Sequence, residues 1–377
     1  MVTLFILSGI LCGFSYFIYP VILKFLPDRQ KTVSSSESKQ ESFITLIITA
    51  HNEEKRIREK LDNTVKIDYP TELLEIIVAS DCSTDQTDEI VASYAQQGVR
   101  LVRADERKGK EYAQLCAIRE ARGDILVFSD VATKIEPGAL HLLVNHFDDP
   151  KVGAVSSEDR FVSNDGSIVG EGAYVKYEMW LRSLESERAG LVGLSGSFFA
   201  ARKDVCDEWD IYSPSDFNTA LNCAKKGLVA VSSSQVVGIY SDVKDPSLEY
   251  QRKIRTIIRG ITAVSRHTEV LNPFKFGLFA FQVWSHKILR WAVPWFLILF
   301  FVITLLLSGA HWFFVLVLIG QLAFYACVLC GHFSPKLRNI PWVKIPYFFV
   351  QVNLAIAVAT LKFLSGKRMT TWSPSQR

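Results

Sequence analysis

Apolar and polar positions sort the chain into three zones. Residues 2–26 are apolar with no charge before Lys24, the middle alternates short apolar runs with polar breaks, and the last third holds further long apolar stretches. In the middle zone Phe43–Ala50, Leu73–Ala79 and Ile125–Phe128 are apolar runs too short for helices, each cut off by polar residues. Such runs predict strands buried on both faces of a parallel sheet. Val99–Arg103 reads as another strand. Between the strands, Ile57, Leu61 and Val65 fall at helical spacing, Ile90–Tyr94 is amphipathic, and Lys108-Gly109-Lys110 opens a helix running to Arg122. Strands alternating with helices in this way mean βαβ units, hence an α/β domain with a mainly parallel central sheet.

The chemistry is expected at the strand ends. Ligands of parallel sheets sit beyond the carboxyl ends of the strands, and there the chain places Glu53 and Glu54, Asp81, and Asp130. Asp130 can hold a metal ion or a polar substrate there, or cap a helix opened by Pro137. Ser83-Thr84-Asp85 can cap the helix after it and at the same time fix the turn that aims Asp81. No Gly-x-Gly-x-x-Gly and no Gly-x4-Gly-Lys-Ser/Thr occurs, which argues against dinucleotide and P-loop sites. Acidic strand ends suit a nucleotide whose base and ribose are held by carboxylates, with a metal on its phosphates. No Ser or Cys nucleophile stands in a recognisable motif with His and Asp, so a hydrolase is disfavoured.

Composition sharpens the outer zones. The 377 residues suffice for one large domain and more, and the 49% hydrophobic residues concentrate at the two ends. A net charge of +3 and the lack of a long basic run point away from nucleic acid. Seven cysteines are scattered; only Cys327 and Cys330 have metal or redox spacing, and without a second pair they indicate neither a zinc site nor a disulfide framework. Val2–Leu26 lacks a basic leader and a small-residue cleavage site, so it reads as a retained anchor. Lys24, Arg29 and Lys31 follow it, placing the next domain in the cytoplasm by the positive-inside rule.

The other end is expected to span the membrane again. Ser34–Gln40 is a polar linker. Phe274–Trp291 mixes aromatics with His286, Lys287 and Arg290, as suits a helix in the interface plane. Ala292–Ser308 and Trp312–Cys330 are spans joined by a Gly309-Ala310-His311 turn, and a third runs from about Ile345 to Leu364. Its Gln351 and Asn353 should face protein or a cavity. Because the Lys336/Arg338 loop and the Lys367/Arg368 tail are both basic, either the last segment is re-entrant or the Phe274 region crosses too. The expected organisation is an anchor at 1–26, a linker at 27–42, a cytoplasmic domain at 43–268, an interfacial segment at 269–291, transmembrane or re-entrant helices at 292–364 and a basic tail at 365–377.

Within the middle zone, Ala50-His51-Asn52-Glu53-Glu54, Ser80-Asp81-Cys82-Ser83-Thr84-Asp85, Lys108-Gly109-Lys110 and Phe128-Ser129-Asp130 resemble the ordered motifs of family 2 glycosyltransferases. The resemblance runs roughly from Phe43 to Gly260 and implies an inverting enzyme of GT-A fold that uses nucleotide-diphosphate sugars. By it, Asp81 contacts the nucleoside, expected to be uridine, and Ala50, Asn52, Glu53 and Lys110 help form the nucleotide site. Asp130 matches the first Asp of the family's Asp-x-Asp, which coordinates the divalent cation (Mg2+ or Mn2+) on the diphosphate. The second Asp is missing, since the chain reads Asp130-Val131-Ala132. Asp130 with the diphosphate and waters can still hold Mg2+, which often takes one or two protein carboxylates.

The acceptor side carries the same resemblance. Tyr174–Glu187 reads as a helix, and Gly193–Arg202 resembles the family's acceptor-side strand. Asp216, in Pro214-Ser215-Asp216, stands where members carry Glu-Asp and is the expected catalytic base. The alternative is that Asp216 caps the helix running to Gly227, although Ser215 can do so instead. In Glu249–Gly260, Arg252, Arg255 and Arg259 share one helix face, either as a basic or lipid-facing surface or as the counterpart of the family's Gln-x-x-Arg-Trp. In that alignment Arg255 neutralises the departing diphosphate, with Arg252 and Thr256 in place of Gln and Trp. Processive synthases use that Trp to bind the acceptor's terminal sugar, so its loss points to single additions.

The expected function is therefore inverting transfer of one sugar from a UDP-sugar to a lipid-linked or glycan acceptor at the inner membrane, in surface-polysaccharide or glycolipid assembly. A processive polysaccharide synthase and a non-catalytic nucleotide-binding membrane subunit are the alternatives.

Overall fold

The structure is a computed structural model and describes residues 1–31, 42–162, 173–241 and 246–369. The linker expected at 34–40 and the end of the basic tail lie outside those residues. The chain divides into an α/β unit, residues 26–244 and 262–280, and a helical unit, residues 1–25, 245–261 and 281–368.

The α/β unit is built on one eight-stranded sheet. Its strands are β1 Ile44–Ala50, β2 Leu74–Ser80, β3 Val99–Arg103, β4 Ile125–Asp130, β5 Lys134–Ile135, β6 Val152–Val162, β7 Phe198–Arg202 and β8 Val229–Ser241, in the order β3-β2-β1-β4-β7-β6-β8-β5. β3, β2, β1 and β4 are mutually parallel, β7 runs antiparallel to β4 and β6, and β6 pairs parallel with β8. Every residue of β1 is buried, which is why its sequence is continuously apolar or Thr. Ile44, Leu46 and Ile48 enter one core layer with Ile57 and Leu61, while Ile47 enters the other with Ala113 and Ala117. Each such side chain contributes about 1.5–3 kcal/mol by leaving water.

Register decides where the polar strand ends land. Ala50 pairs with Ser80 and Thr49 with Asp130, so β1, β2 and β4 end level and release Asn52, Asp81 and Asp130 at one edge of the sheet. The helices Ile57–Thr64 and Lys110–Glu120 lie where the pattern placed them, Thr87–Ala92 starts before the amphipathic segment Ile90–Tyr94 and ends within it, and Ala173–Arg188 covers the helix expected at Tyr174–Glu187. At the start of β2, Glu75 is buried and accepts hydrogen bonds from Thr45 Oγ1 (2.7 Å), Arg122 N (2.9 Å) and Arg122 Nε (2.9 Å). Burial pushes its carboxyl up, but these bonds outweigh it and hold the pKa below the ordinary value.

The helical unit holds helices Val2–Phe25, Trp312–Phe333 and Pro341–Leu364 and the part of Pro273–Leu307 from Phe281 onward. These four helices are long and apolar enough to cross a membrane. The segment expected to lie in the interface, Phe274–Trp291, is part of the 35-residue run Pro273–Leu307. In the first helix, Phe5 packs on Phe300 (centroids 4.9 Å apart) and edge-on to Phe314. Asn353 is buried, its Nδ2 donating to Phe349 O at 2.9 Å.

Candidate active site

The edge is wired first by backbone. Asp81 N donates to Ala50 O (2.9 Å), and the His51 ring donates from Nδ1 to Asp81 O (2.7 Å), so the ends of β1 and β2 hold each other. Asn52 turns the chain with φ +53, where Asn is tolerated better than most residues. Its Oδ1 accepts from Thr84 N at 2.8 Å, and its own N donates to Ser83 Oγ at 3.2 Å. Cys82 also has positive φ, +52, a conformation that costs an L residue about 1–2 kcal/mol and that glycine adopts freely. Of Ser83-Thr84-Asp85, only Asp85 serves the next helix, accepting from Thr87 N at 3.0 Å.

Asp81 is fully buried. Its Oδ1 accepts from Lys108 N (3.2 Å) and Gly109 N (3.0 Å), and its Oδ2, equally enclosed, has no partner among the described residues. A buried carboxylate oxygen left without a donor is costly, and the amide or hydroxyl of a nucleoside would satisfy it. Gly109, at φ +103, then starts the helix whose first residue is Lys110. Lys110 Nζ donates to Asp130 Oδ1 at 2.5 Å and to Gly196 O at 2.8 Å. Against Gly196 lies Asp216, whose Oδ2 would be 3.3 Å from a Cβ at that glycine. Contacts thus run from Asp81 through the Lys108–Lys110 turn to Asp130, Gly196 and Asp216. Three separate segments of the α/β unit converge there.

Glu53 stands beside this group, buried, with its carboxylate held by Arg56 Nη2 at 2.7 Å. Burial raises its pKa, Arg56 opposes the shift and the charge of Asp130 adds to it. Neither Ser215 nor Asp216 caps the helix Ser215–Lys225, because Pro214 is the N-cap residue and no side chain bonds across the cap. Asp216 is in the first turn, half-buried. The stretch leading to it is anchored. Trp209 stacks on Phe128 (5.0 Å) and donates to Glu111 O, while Asp210 accepts from Ser213 Oγ and Arg266, with His267 Nε2 3.4 Å away. Burial alone would raise the Asp210 pKa, but these partners hold it well below the carboxylate range. Arg252 and Arg255 lie on helix Pro246–Arg266, in its part up to Ile261 that belongs to the helical unit, the first exposed and the second half-buried.

Two groups escaped the sequence reading. Asp159, on β6, accepts from Ser195 Oγ (2.6 Å) and Tyr240 Oη (2.8 Å). Lys60, between apolar positions of its helix, is 3% exposed and donates to Ser129 Oγ (2.7 Å) and Thr133 O (2.6 Å) under the turn after β4. Its burial lowers its pKa to about 7, against the pull of Asp130. Lys60 also lines a cavity of about 760 Å³ with Arg56, Asn63, Thr133 and Tyr240; Asp81, Lys110, Asp130 and Asp216 do not line it, so the converging carboxylates form a separate site.

The sequence pattern described as Glycosyl transferase family 2 matches residues 45–209, the segment that supplies Asp81, Lys110 and Asp130. Residues 45–209 are a family 2 glycosyltransferase domain. Outside the matched range lies Asp216, while Gly196 and Trp209 of the transferase domain lead up to it. The probable glycosyltransferase YdaM of Bacillus subtilis is 33% identical over 126 residues, covering 32% of this chain and 30% of that protein. Beta-monoglucosyldiacylglycerol synthase of Nostoc sp. is 25% identical over 177 residues, 45% of this chain and 38% of the synthase. The matched stretches span about a third of the length of these relatives. Among solved structures, a mannosyltransferase from Pyrobaculum calidifontis in complex with GDP-Man and Mn2+ aligns with a TM-score of 0.74 at 22% identity, covering 97% of this chain and 99% of that one. That likeness establishes the GT-A-like fold of mixed, mostly parallel strands with apolar helices toward both ends.

The transferase domain's own residues decide how a divalent cation fits. Asp130 is the one carboxylate of its motif, with Ala132 in the second position, and it is already paired with Lys110. Among the described residues no three His, Cys, Asp or Glu side chains form a metal-holding group. The motif therefore offers a divalent cation one protein acid, and that acid already carries an ammonium partner.

Proposed function

We propose that this chain is a membrane-anchored, inverting glycosyltransferase that moves a single sugar from a nucleotide-diphosphate sugar, expected to be a UDP-sugar, to a lipid-linked or glycan acceptor at the cytoplasmic membrane face. The observation that carries this reading is the convergence of Asp81, Asp130 and Asp216 through Lys110 and Gly196. Asp81 offers its unpartnered Oδ2 to the nucleoside. Asp216, against the Gly196 backbone, takes the proton of the acceptor hydroxyl as that oxygen attacks the anomeric carbon. The bond from that carbon to the diphosphate breaks on the opposite side, inverting the centre, and the nucleoside diphosphate leaves with the bonding electrons. Four apolar helices support an acceptor that lives at a membrane. No step is routed through a metal.

The test is nucleotide release by membranes containing the full chain, across a panel of UDP- and GDP-sugars. Asp216→Asn should lower release by about a hundredfold or more while leaving nucleotide binding intact. Equal release by the two forms would remove Asp216 as base, and no release with any donor would reduce the chain to a nucleotide-binding subunit. A ladder of products on a gel would replace single transfer by polymer synthesis.

A further inference from the structure

Resting on the transferase reading above, we propose that the donor's diphosphate is neutralised here by a lysine ammonium, Lys110 backed by Lys60, and that donor binding requires no divalent cation. The first support is the inventory of charges at the sheet edge. Two carboxylates at this edge already have a protein cation: Asp130 pairs with Lys110 and Glu53 with Arg56. Ala132 leaves the motif without a second acid.

The second support is how Lys110 is held. Its side chain is 10% exposed, and its ammonium stands between Asp130 Oδ1 (2.5 Å) and Gly196 O (2.8 Å), next to the glycine that Asp216 abuts. An ammonium has three donors. Two are committed to these oxygens, and the third remains for a phosphate oxygen close to where the acceptor is deprotonated. A charge fixed in that way stabilises the negative charge that grows on the leaving diphosphate, without reorganising when the bond breaks.

The third support is Lys60. Its buried ammonium bonds to Ser129 and to Thr133, which flank Asp130 on either side. A divalent cation on Asp130 would face the Lys110 ammonium at short range in a partly dry site, whereas a diphosphate would be attracted by it. The arrangement therefore selects the anion and disfavours the metal. The transfer needs no additional reactant.

The experiment is UDP and GDP binding to the purified full chain in detergent, by calorimetry, with chelator and with added Mn2+. Wild-type affinity for the preferred nucleotide should differ by less than about threefold between the two conditions, well under the tenfold that one strong contact supplies. In chelator, Lys110→Met should weaken binding by about tenfold or more, the loss expected of a charge-assisted hydrogen bond. Lys110→Arg should retain most of the affinity, and the wild-type comparison decides the matter even if Lys110→Met fails to fold. The proposal is overturned if chelator abolishes wild-type binding and Mn2+ restores it, or if folded Lys110→Met binds as wild type does. Absence of nucleotide binding in every condition would overturn the transferase reading and this proposal with it.

Discussion

Lys60→Met tests how the sheet edge is assembled. The ammonium of Lys60 is buried against Ser129 Oγ and Thr133 O. Burial lowers its pKa from 10.5 to about 7, with the charge of Asp130 acting the other way. An unfolded lysine titrates near its ordinary value, so between about pH 7 and 10.5 the unfolded chain holds a proton that the folded chain lacks. Stability therefore rises with pH through that window, and below it the whole cost of the buried charge is present. At 1.36 kcal/mol per pH unit, the shift from 10.5 to about 7 corresponds to about 5 kcal/mol at low pH. Between about pH 6 and about pH 9, roughly 2.7 kcal/mol of that cost disappears. Methionine keeps the aliphatic stem and removes the titration, while the two hydrogen bonds it forfeits cost the same at every pH. Urea unfolding of the detergent-solubilised chain, read by pulse proteolysis, gives both profiles. Wild type should gain about 2–3 kcal/mol on Lys60→Met across that range. Parallel profiles would refute the reasoning, since they would mean that Asp130 and the Thr133 carbonyl keep Lys60 charged throughout.

Gly196→Ala places a methyl group 3.3 Å from Asp216 Oδ2 and must displace that carboxylate. Turnover should fall by about tenfold or more with nucleotide affinity and melting temperature little changed; undiminished turnover would exclude Asp216 as the base in this geometry. Asp210→Asn removes a carboxylate whose pKa is held down by His267, Arg266 and Ser213 against its burial. A depressed carboxyl pKa stabilises the fold above the ordinary carboxylate range and loses that effect as pH falls. The variant should therefore melt below wild type at neutral pH, and the gap should close in acid; a gap independent of pH would show that charge plays no part.

Parts of the fold were legible because burial leaves a local record. β1, β2 and β4 are covered on both faces, so their sequences are mostly apolar, and their polar ends announced the site edge. β6 and β8 left no such record. Ser156-Ser157-Glu158-Asp159 and Ser232-Ser233-Ser234-Gln235 interrupt them with polar residues, and the partners that stabilise those positions come from elsewhere in the chain. Cys82 takes a positive φ, so the turn after β2 is demanding at that residue.

The sequence alone determined the alternation of strand and helix, the apolar segments at both ends and the identity of the acids at the strand ends, since each depends on neighbours a few residues away. Only the tertiary structure decided which cation meets which acid. Lys110 reaches Asp130 across 20 positions and Gly196 across 86, and Lys60 reaches Ser129 across 69. Periodicity records the face a residue turns to the core, whereas the partner waiting on that face is set by strand register and helix packing. A lysine that reads as helix surface thus becomes a buried charge beneath the site.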